Sequence, residues 1–317
     1  MTAADSVAVA SYEIFGERID VTTDDAAILG RVEASLHAFR SAEQSAATAE
    51  FHVTRKEAES RVRRGRQINT GTLLIIADGH KLIAASLGAT PWQIHIEAFG
   101  RSDEYVYYYL FEPLLHMVLK RRGLVHWHGA AVCRGDRAVL IVGESGSGKS
   151  TTALSLLLHG YRFVADDELF LQAGNDGVDV RSAERHLHFT DATASLLAGL
   201  PATEELPLVQ RGSGMKRRLD ADFFAPATPG AATIGAVVFP RIESAGVTRL
   251  LPLSEAEAAR RFILHPPKEY PAIIVDPPSI ERQFAVCTSL ATAARCYELV
   301  LGPDIARAPQ LIDDVLA

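Results

Sequence analysis

The chain has 317 residues, of which 48% are hydrophobic and 22% are charged. That composition is typical of a soluble globular protein, and that length allows one large domain or two ordinary ones. The formal net charge of −7 argues against a general nucleic-acid-binding protein, which presents a basic surface.

Targeting signals and metal-binding cysteine patterns are not found in the sequence. No apolar run approaches the ~20 residues that a membrane-spanning helix needs, so no membrane partner is expected. The N-terminus has neither the cationic start nor the sustained apolar stretch of a signal peptide. The three cysteines, Cys133, Cys287 and Cys296, form no C-x-x-C pair. We therefore expect a cytoplasmic protein with reduced thiols.

Residues 1–120 are predicted to form a β-rich domain with one helix. Alternating apolar residues predict strands up to Phe15 and over Ile19–Val21, with a hairpin turn at Gly16-Glu17. A helical period of apolar residues predicts a helix over 26–39. Further strands are expected at Phe51–Val53, Thr72–Ile76, Leu82–Ala85 and Gln93–Phe99. No motif for catalysis occurs in this section.

A second domain is predicted over residues 121–317. The helix that precedes it, Asp103–Arg121, contains Pro113 as the point of a kink or an early break. The first strand of the second domain is expected to run from Val125 to Cys133. A two-residue turn at Gly135-Asp136 then leads into the next strand.

This predicted hairpin places a histidine beside the loop that follows its second strand. Pairing of Arg134 with Arg137 would put His128 opposite Gly143, the first residue of that loop. His126 would lie on the same face, two residues further out. No comparable argument for a function exists for His186, His188 and His265.

The most informative stretch is residues 139–152, Val-Leu-Ile-Val-Gly-Glu-Ser-Gly-Ser-Gly-Lys-Ser-Thr-Thr. An apolar strand, a glycine loop and an amphipathic helix are the context in which the pattern G-x-x-x-x-G-K-[ST], or Walker A, indicates a phosphate-binding loop. Glycines let backbone N–H groups converge on an anion, and the helix N-terminus adds partial positive charge. The predicted nucleotide-binding residues are Gly143, Ser145, Gly146, Ser147, Gly148, Lys149, Ser150 and Thr151. An ordinary glycine-rich turn is the alternative.

Two residues of the loop have assigned roles, and two carboxylates complete the expected site. Lys149 would reach the outer phosphates of the nucleotide, and the Ser150 hydroxyl would bind Mg²⁺. Asp166 and Asp167 end the apolar strand that follows the loop helix. We expect that strand to be a parallel neighbour of the loop strand, reached by a right-handed crossover.

The two aspartates are expected to divide the chemistry between them. One carboxylate would hold Mg²⁺, and the other would orient or deprotonate an acceptor hydroxyl. Ser150 and Asp166 are the candidate metal ligands, although the division of roles between Asp166 and Asp167 stays open. Adjacent side chains on an extended segment point to opposite faces, so different partners are expected for the two, and Glu168 is expected to face solvent. A solvated acidic turn is the alternative.

The remaining part of the second domain carries weaker signals. Residues 200–232 are expected to be irregular, and Lys216 and Arg218 within them are candidates either for a phosphate or substrate clamp or for an exposed basic turn. Ser254 and Glu257 resemble a capping box that opens a helix to Leu264. Other strands are predicted at Ile234–Phe239, Arg249–Leu253 and Cys296–Leu301, and helices at 190–199, 279–293 and 305–317.

Three segments together resemble the catalytic domain of the HPr kinase/phosphorylase family and of the broader HPr-kinase-like proteins. They are His128-Gly129-Ala130, the loop Gly143–Ser150 and Val164-Ala165-Asp166-Asp167. The resemblance is strong over 125–172, weaker over 233–301 and not specific before 120. It implies an α/β fold with a P-loop nucleotide-binding domain akin to PEP carboxykinase and HPr kinase, and a smaller β-rich N-terminal domain. It also implies that His128, Asp166 and Asp167 are catalytic and that ATP and Mg²⁺ are the cofactors.

The sequence departs from the family pattern in two places. The Arg- and Gly-rich second signature is not evident, and Arg211–Gly214 is at most an echo of it. The N-terminal part looks like the leader of stand-alone HPr-kinase-like proteins, some of which resemble kinases that modify lasso peptides. Neither HPr as the substrate nor a phosphorylase activity is therefore expected.

The sequence thus predicts an ATP- and Mg²⁺-dependent kinase that transfers the γ-phosphate to a hydroxyl, first of all a serine of a peptide or protein. The alternatives are a small-molecule kinase of the same fold, acting on an alcohol, sugar or amino acid, and a non-catalytic nucleotide-binding regulatory module. A decarboxylating carboxykinase would need Mn²⁺-ligating His and Lys residues, and no such set is evident. The expected partners are a nucleotide and the hydroxyl acceptor, and the oligomeric state stays open, although the family tends to assemble into homo-oligomers.

Overall fold

The computed structural model describes residues 8–43, 45–57, 65–174, 177–183, 185–211, 214–224, 231–265 and 277–316. The chain forms two compact units, Met1–Arg122 with Glu269–Pro277 and Gly123–Lys268 with Pro278–Ala317. Both mix helices and strands, as a mixed α/β protein does. Among the described residues, the helices are all too short or too polar to cross a bilayer.

The first unit is built on a seven-stranded sheet in the order β1-β2-β3-β7-β6-β5-β4. Its helical elements pack apolar residues against the sheet, such as Ile28 and Val32 of the first helix. The strands are β1 Ala8–Ile14, β2 Glu17–Thr23, β3 Ala49–Lys56, β4 Arg66–Asn69, β5 Leu73–Ala77, β6 Lys81–Ser86 and β7 Trp92–Phe99. The helices are α1 Ala26–Leu36, α2 Asp103–Val106 and α3 Glu112–Arg121.

The first hairpin turn lies one residue earlier than predicted. β1 and β2 pair up to Ile14 and Glu17, so the two turn residues are Phe15 and Gly16 rather than Gly16 and Glu17. Both have positive φ, 56° and 87°. That geometry suits the twist of a two-residue hairpin, and the glycine adopts it without a steric cost.

The helix predicted over Asp103–Arg121 does not break at Pro113. A π-helical turn, Tyr107–Phe111, joins α2 to α3, and Pro113 lies in the first turn of α3. A residue without an N–H is tolerated in a first helical turn. Because the π turn widens the helix just before the pyrrolidine ring of Pro113, the chain stays helical through Pro113.

The second unit contains a nine-stranded sheet and a separate three-stranded sheet. The nine strands are β8 Val125–Trp127, β9 Ala130–Arg134, β10 Arg137–Ile141, β11 Arg162–Asp166, β12 Leu169–Gly174, β13 Gly177–Arg181, β17 Ala232–Ile242, β18 Arg249–Pro252 and β19 Arg295–Leu301. Their order is β11-β9-β10-β17-β13-β12-β8, and β19 pairs with both β17 and β18. The small sheet has the order β14-β16-β15, with β14 His186–Phe189, β15 Leu208–Arg211 and β16 Gly214–Asp220.

Helices cover both faces of the large sheet. The elements are α4 Lys149–Leu158, α5 Asp191–Ala194, α6 Glu255–Leu264, α7 Pro277–Ala293 and α8 Ala308–Leu316. Val139 and Ile141 of β10 lie in one apolar cluster with residues of α4 and α8. Ala138 and Leu140 lie in the other cluster with residues of α6 and α7. Alternate residues of a fully buried strand thus pack into two layers, which explains the uninterrupted apolar run.

The strand predicted over Val125–Cys133 is two strands. β8 pairs with β12, whereas β9 pairs with β10 and β11, and the chain leaves one part of the sheet for another at His128 and Gly129. A Cβ at Gly129 would lie 2.8 Å from the backbone oxygen of Ile141. The break therefore depends on a residue that lets two backbones approach closely.

The order of the central strands also differs from the prediction. β11 is parallel to β10 but is not its neighbour, because β9 lies between them and is antiparallel to both. The predicted hairpin register itself is confirmed, since Arg134 pairs with Arg137. That hairpin occupies the position next to β10, so the crossover through α4 has to pass over one strand.

The region expected to be irregular, 200–232, contains most of the small sheet. β15 and β16 pair from Leu208–Arg217 to Arg211–Gly214, and β14 pairs along the other side of β16. β15 and β16 are largely exposed and show no regular alternation of apolar and polar residues, so apolar periodicity did not predict these two strands. The capping box is confirmed, because Ser254 accepts a hydrogen bond from the Glu257 N–H at the start of α6. Residues 212–213, and most of the stretch 265–278 that was expected to be extended, lie outside the described residues.

Replacing Gly129 by alanine should lower the free energy of unfolding of the second unit by about 1–3 kcal/mol, the cost typical of overpacking. The added methyl group would collide with the backbone oxygen of Ile141, which the sheet holds in place. The urea midpoint followed by circular dichroism measures the effect. Gly214→Ala is the matched control, because a Cβ there meets no atom within 4 Å. Equal midpoints for the two variants would contradict the steric account.

Candidate active site

The loop between β10 and α4 is shaped by glycines at the two positions where its backbone requires them. Gly146 and Gly148 have φ values of 80° and 106°. A Cβ at Gly148 would also lie 2.5 Å from the Leu301 side chain at the end of β19. The loop is thus seated against the carboxyl edge of the sheet, and α4 begins at Lys149 with its N–H groups directed at this edge.

Lys149 is buried in this loop and folds back over it. Its Nζ donates to the backbone oxygens of Gly143 and Glu144, each at 2.8 Å. Burial lowers the pKa of its ammonium below the usual value, and the nearby charges of Asp167 and Asp166 oppose that shift. The lysine of the loop and the aspartate pair therefore lie within electrostatic reach of one another.

The hydroxyl residues of the loop differ in their surroundings. Ser147 lies close to Gly143, where a Cβ would be 2.7 Å from its Oγ. Ser150 is partly exposed in the first turn of α4. Thr151 lies 3.2 Å, Oγ1 to Oγ1, from Thr193 in α5. Thr151 thus contacts a neighbouring helix, whereas Ser150 is partly exposed to solvent.

The aspartate pair lies level with the start of this loop. Ala130 of β9 is the register partner of Ile141 on one side and of Asp166 on the other. Two strand spacings, about 10 Å, therefore separate Ile141 from Asp166 across the sheet. The carboxyl ends of β10 and β11 consequently reach the same edge, and His128 precedes β9 at that edge.

The chain turns sharply at Asp167 instead of continuing as an extended strand. The Glu168 N–H donates to the Asp166 oxygen at 2.8 Å, and the φ of Asp167 is 65°. These features define a γ-turn with positive φ, which is rare and strained. The expectation that the two carboxylates point to opposite faces is therefore wrong, because oxygen atoms of both lie within 4.8 Å of each other and of a His188 ring nitrogen.

The two aspartates still differ in their partners. Asp166 is 1% exposed and accepts a hydrogen bond from the His188 N–H at 2.8 Å. Asp167 is 14% exposed, with one carboxylate oxygen 3.6 Å from Lys216 Nζ and the other 3.9 Å from His128 Nδ1. Asp166 is thus the enclosed carboxylate, and Asp167 is the one open to an incoming group.

His128 meets the aspartate pair, but not by the predicted pairing with Gly143. The β9–β10 pairing ends at Ala130 and Ile141, so His128 lies beyond the ladder. Its Nδ1 lies 2.9 Å from the backbone oxygen of Asp167. Because a carbonyl oxygen only accepts, Nδ1 carries the hydrogen and Nε2 is the basic nitrogen of the neutral ring.

Glu168 and His126 are placed differently from the prediction. Glu168 was expected to face solvent, yet its carboxylate is hydrogen-bonded to His126 Nε2. His126 is fully buried and stacks on Phe170, with ring centroids 5.0 Å apart. Charge and strand ends alone could not predict this pair, because it depends on β8 pairing with β12.

Positive charge reaches the site from the small sheet. Lys216 and Arg218 lie two residues apart on β16, hence on one face, and Arg218 is the register partner of His188. Lys216 contacts Asp167, whereas Arg217 points away and pairs with Asp191. Lys216, a candidate clamp residue, therefore lies beside the aspartates, and so does His188, for which the sequence offered no functional argument.

His265 is a further residue that the sequence did not single out. It ends α6 and stacks on Phe239, with ring centroids 6.4 Å apart. Burial lowers its pKa, and the charges of Glu144 and Lys149 act on it. His265 therefore lies near the glycine loop. The sequence did not predict this, because a lone histidine before a proline-rich stretch matches no functional motif.

Known proteins match the part of the chain that contains His128, the glycine loop and the two aspartates. The family model of the HPr serine kinase C-terminal domain matches residues 123–189. The HPr kinase/phosphorylase of Geobacillus sp. (strain WCH70) is 48% identical over 56 residues, 18% of this chain and 18% of that protein. That of Lactobacillus delbrueckii subsp. bulgaricus is 52% identical over 42 residues, 13% of each chain. The chain thus spans less than a quarter of the length of these relatives.

A solved structure resembles the chain over a longer range. The HPr(Ser) kinase/phosphatase of Coxiella burnetii has 14% sequence identity and a TM-score of 0.30, over 60% of this chain and 93% of that chain. The family-model match contains His128, the glycine loop and both aspartates, the groups that the fold of the second unit brings to one edge. Residues 123–189 of the chain are therefore similar to the C-terminal domain of HPr serine kinases.

Proposed function

We propose that the chain is an ATP- and Mg²⁺-dependent kinase that transfers the γ-phosphoryl group to a hydroxyl, first of all a serine of a peptide or protein. The observation that supports this most is that β10, which leads into the glycine loop, and β11, which ends at Asp166, reach the same level on either side of β9. Phosphoryl transfer needs a phosphate cradle next to a group that prepares the acceptor. The likeness over residues 123–189 favours the same class of reaction.

The glycine loop would hold the nucleotide by its phosphates. The N–H groups of the loop and of the first turn of α4 are donors without an intrahelical acceptor, and the helix end favours an anion. Lys149 donates to two loop oxygens from a position where its ammonium can also meet outer phosphate oxygens. The proposed nucleotide contacts are Gly143, Ser145, Gly146, Ser147, Gly148, Lys149, Ser150 and Thr151.

The donor atoms at the aspartate pair fit Mg²⁺. Carboxylate oxygens of Asp166 and Asp167 lie within 4.8 Å of each other, and hydroxyl and carboxylate oxygens are the ligands that this cation takes. We assign Asp166 and Ser150 as its protein ligands, since Asp166 is the enclosed carboxylate. When bound, the cation would neutralise charge on the β- and γ-phosphate oxygens.

Asp167 and His128 would act on the acceptor. Asp167 is the more exposed carboxylate, so it is the one that can take a hydrogen bond, and then the proton, from an incoming hydroxyl. His128 fixes the backbone of Asp167 through Nδ1–H and presents a basic Nε2. Lys216, 3.6 Å from Asp167, and Arg218 on the same face would offset negative charge on the transferred group.

The openness of the acceptor side favours a peptide or protein over a small molecule. The His128 side chain is 41% exposed, so the groups that would meet the acceptor lie at the surface of the unit rather than in an enclosed cavity. Small-molecule pockets usually bury most of their ligand. We assign the catalytic domain to residues 121–317 and the β-rich domain to residues 1–120. A small-molecule kinase and a nucleotide-binding regulatory module are the alternatives.

Lys149→Ala should weaken ATP binding about 10- to 100-fold, because a charge-assisted hydrogen bond contributes about 1.5–3 kcal/mol. Isothermal titration with ATP and Mg²⁺ measures the dissociation constant. Arg295→Ala is the control, since Arg295 begins β19 at the opposite end of that strand and bonds to the Val315 oxygen. An unchanged affinity of the lysine variant would exclude the phosphate-loop assignment.

Asp167→Asn and Asp166→Asn should keep ATP binding within a few-fold and lose transfer by at least about 100-fold. Asp167 is the proposed general base, a role that supplies about 10²–10⁴, and Asp166 is the proposed ligand of the Mg²⁺ that neutralises the transferred charge. ADP release in the presence of a serine-containing peptide library measures transfer, and mass spectrometry of the library detects the product. Asp179→Asn, which removes a carboxylate bonded to Thr233 in β17, should behave as wild type. Wild-type rates in both site variants would refute the roles of the pair.

A further inference from the structure

The backbone at Asp167 is held in a conformation that the residue does not favour by itself. Among the described non-glycine residues, Phe15 and Asp167 are the two with a positive φ. Phe15 lies in a hairpin turn of the kind that uses such angles, whereas Asp167 is the central residue of a strained γ-turn. Strain of this kind persists only where the surrounding structure over-determines it, and it concentrates at functional sites.

Several contacts fix the chain on both sides of this turn. On the inner side, His128 Nδ1 donates to the Asp167 oxygen at 2.9 Å. On the outer side, Ser182 Oγ donates to the Glu168 oxygen at 2.7 Å, and Leu169 begins β12 opposite Trp127. These contacts hold the backbone atoms that flank Asp167, but none of them involves a charged side chain.

The side chain of Glu168 also fixes the chain at this turn. Its carboxylate is hydrogen-bonded to Nε2 of His126, which is 0% exposed. The ring of His126 is itself fixed, because it stacks on Phe170 at 5.0 Å and an interplanar angle of 29°. Glu168 therefore bonds to a partner that has no room to move, one residue after the strained aspartate.

The geometry of the two strands explains why this pair acts on Asp167. His126 lies in β8 opposite Phe170, His128 is the residue that follows β8, and Glu168 follows Asp167 directly. His128 and His126 thus hold the two ends of the same turn, one through the backbone of Asp167 and the other through the side chain of Glu168. Removing the bond between Glu168 and His126 would let the φ of Asp167 relax to a negative value. The Asp167 carboxylate would then turn away from Lys216 and His128.

Stability alone does not account for a largely enclosed carboxylate, 19% exposed, that is bonded to a fully buried imidazole. Taking such a pair out of water costs free energy that apolar residues of similar volume would not cost. An apolar pair could fill the same volume beside Phe170, but it could not hold the turn by a directional bond. The residue types at 126 and 168 therefore fit a positioning role better than a packing role.

We propose that Glu168 and His126 are positioning residues that hold the Asp167 γ-turn and so aim the Asp167 carboxylate at the acceptor. The effect on transfer rests on the proposed kinase function, whereas the effect on the backbone does not. Neither residue touches the nucleotide or the acceptor in this account. Both act through the conformation of Asp167.

The first arm of the test is structural. Crystal structures of the full chain with Glu168→Ala and Glu168→Gln give the φ of residue 167. Glutamine keeps the length and an amide oxygen that accepts from His126, so the turn should keep its positive φ. Alanine removes the bond, and the φ should move to a negative value. A positive φ with an unmoved Asp167 carboxylate in the alanine variant would overturn the proposal.

The second arm is kinetic and separates positioning from general destabilisation. Glu168→Ala should lower kcat for ATP turnover about 100-fold, the loss that a 1 Å misplacement causes, with the ATP dissociation constant within twofold of wild type. Glu168→Gln should recover most of that loss. His126→Ala should match Glu168→Ala, and the double variant should be no slower than either, because the two residues act as one unit.

The matched control is Asp313→Asn. It removes a carboxylate that is bonded to Tyr161 and paired with Arg134 in the same unit. This variant should lose stability without losing kcat. A wild-type kcat in Glu168→Ala, or an equal loss of kcat in Asp313→Asn, would contradict positioning. If the wild-type chain turned over no ATP, the kinase proposal would fail, and the φ of residue 167 would still decide the positioning claim.

Discussion

The candidate site depends on one strand, β9, which is hydrogen-bonded between β10 and β11 and antiparallel to both. Because Ala130 pairs with Ile141 on one side and with Asp166 on the other, the two parallel strands end at the same level. The glycine loop continues from one end and the aspartate turn from the other. A shift of β9 by one residue against either neighbour would separate the loop from the carboxylates and expose residues that are now in the core.

Gly129 makes this arrangement compatible with the rest of the sheet. The chain has to leave β12, where β8 pairs, and enter the space between β10 and β11 within two residues. The close approach to the Ile141 oxygen leaves no space for a side chain at the second of them. The first, His128, is thereby placed outside the ladder and over the turn that carries Asp167.

Departures from ordinary core structure concentrate at this one edge of the second unit. Lys149, Asp166 and His126, all buried, lie there, and so do Glu168, which is bonded to His126, and the strained Asp167. The two faces of the same sheet are packed by aliphatic and aromatic side chains. Proteins that violate local rules at one place and obey them elsewhere generally do so where function requires it.

Local elements were largely predictable because they depend on neighbours in the chain. The apolar run before Gly143, the amphipathic turn after Lys149 and the capping box at Ser254 each contain their own signal, and each element is present. The strand β16 of the small sheet was missed because its residues are mostly exposed and charged, so it shows no apolar alternation. The prediction of a single strand through His128 was wrong, because a change of pairing partner within an apolar run cannot be read from the sequence of that run.

The sequence by itself determined the chemical groups available. They are a loop with the phosphate-binding pattern and its lysine and serine, a histidine before the hairpin, and two adjacent aspartates. The resemblance to HPr kinases rests on these residues, and the matched segment contains all of them. Only the tertiary structure decided that β9 separates the two strands, that Asp167 turns back on Asp166, that His188 and Lys216 lie beside the pair, and that Glu168 bonds to His126. The physical reason is that strand order and cross-strand contacts are set by packing between distant segments, whereas residue spacing records only what is near along the chain.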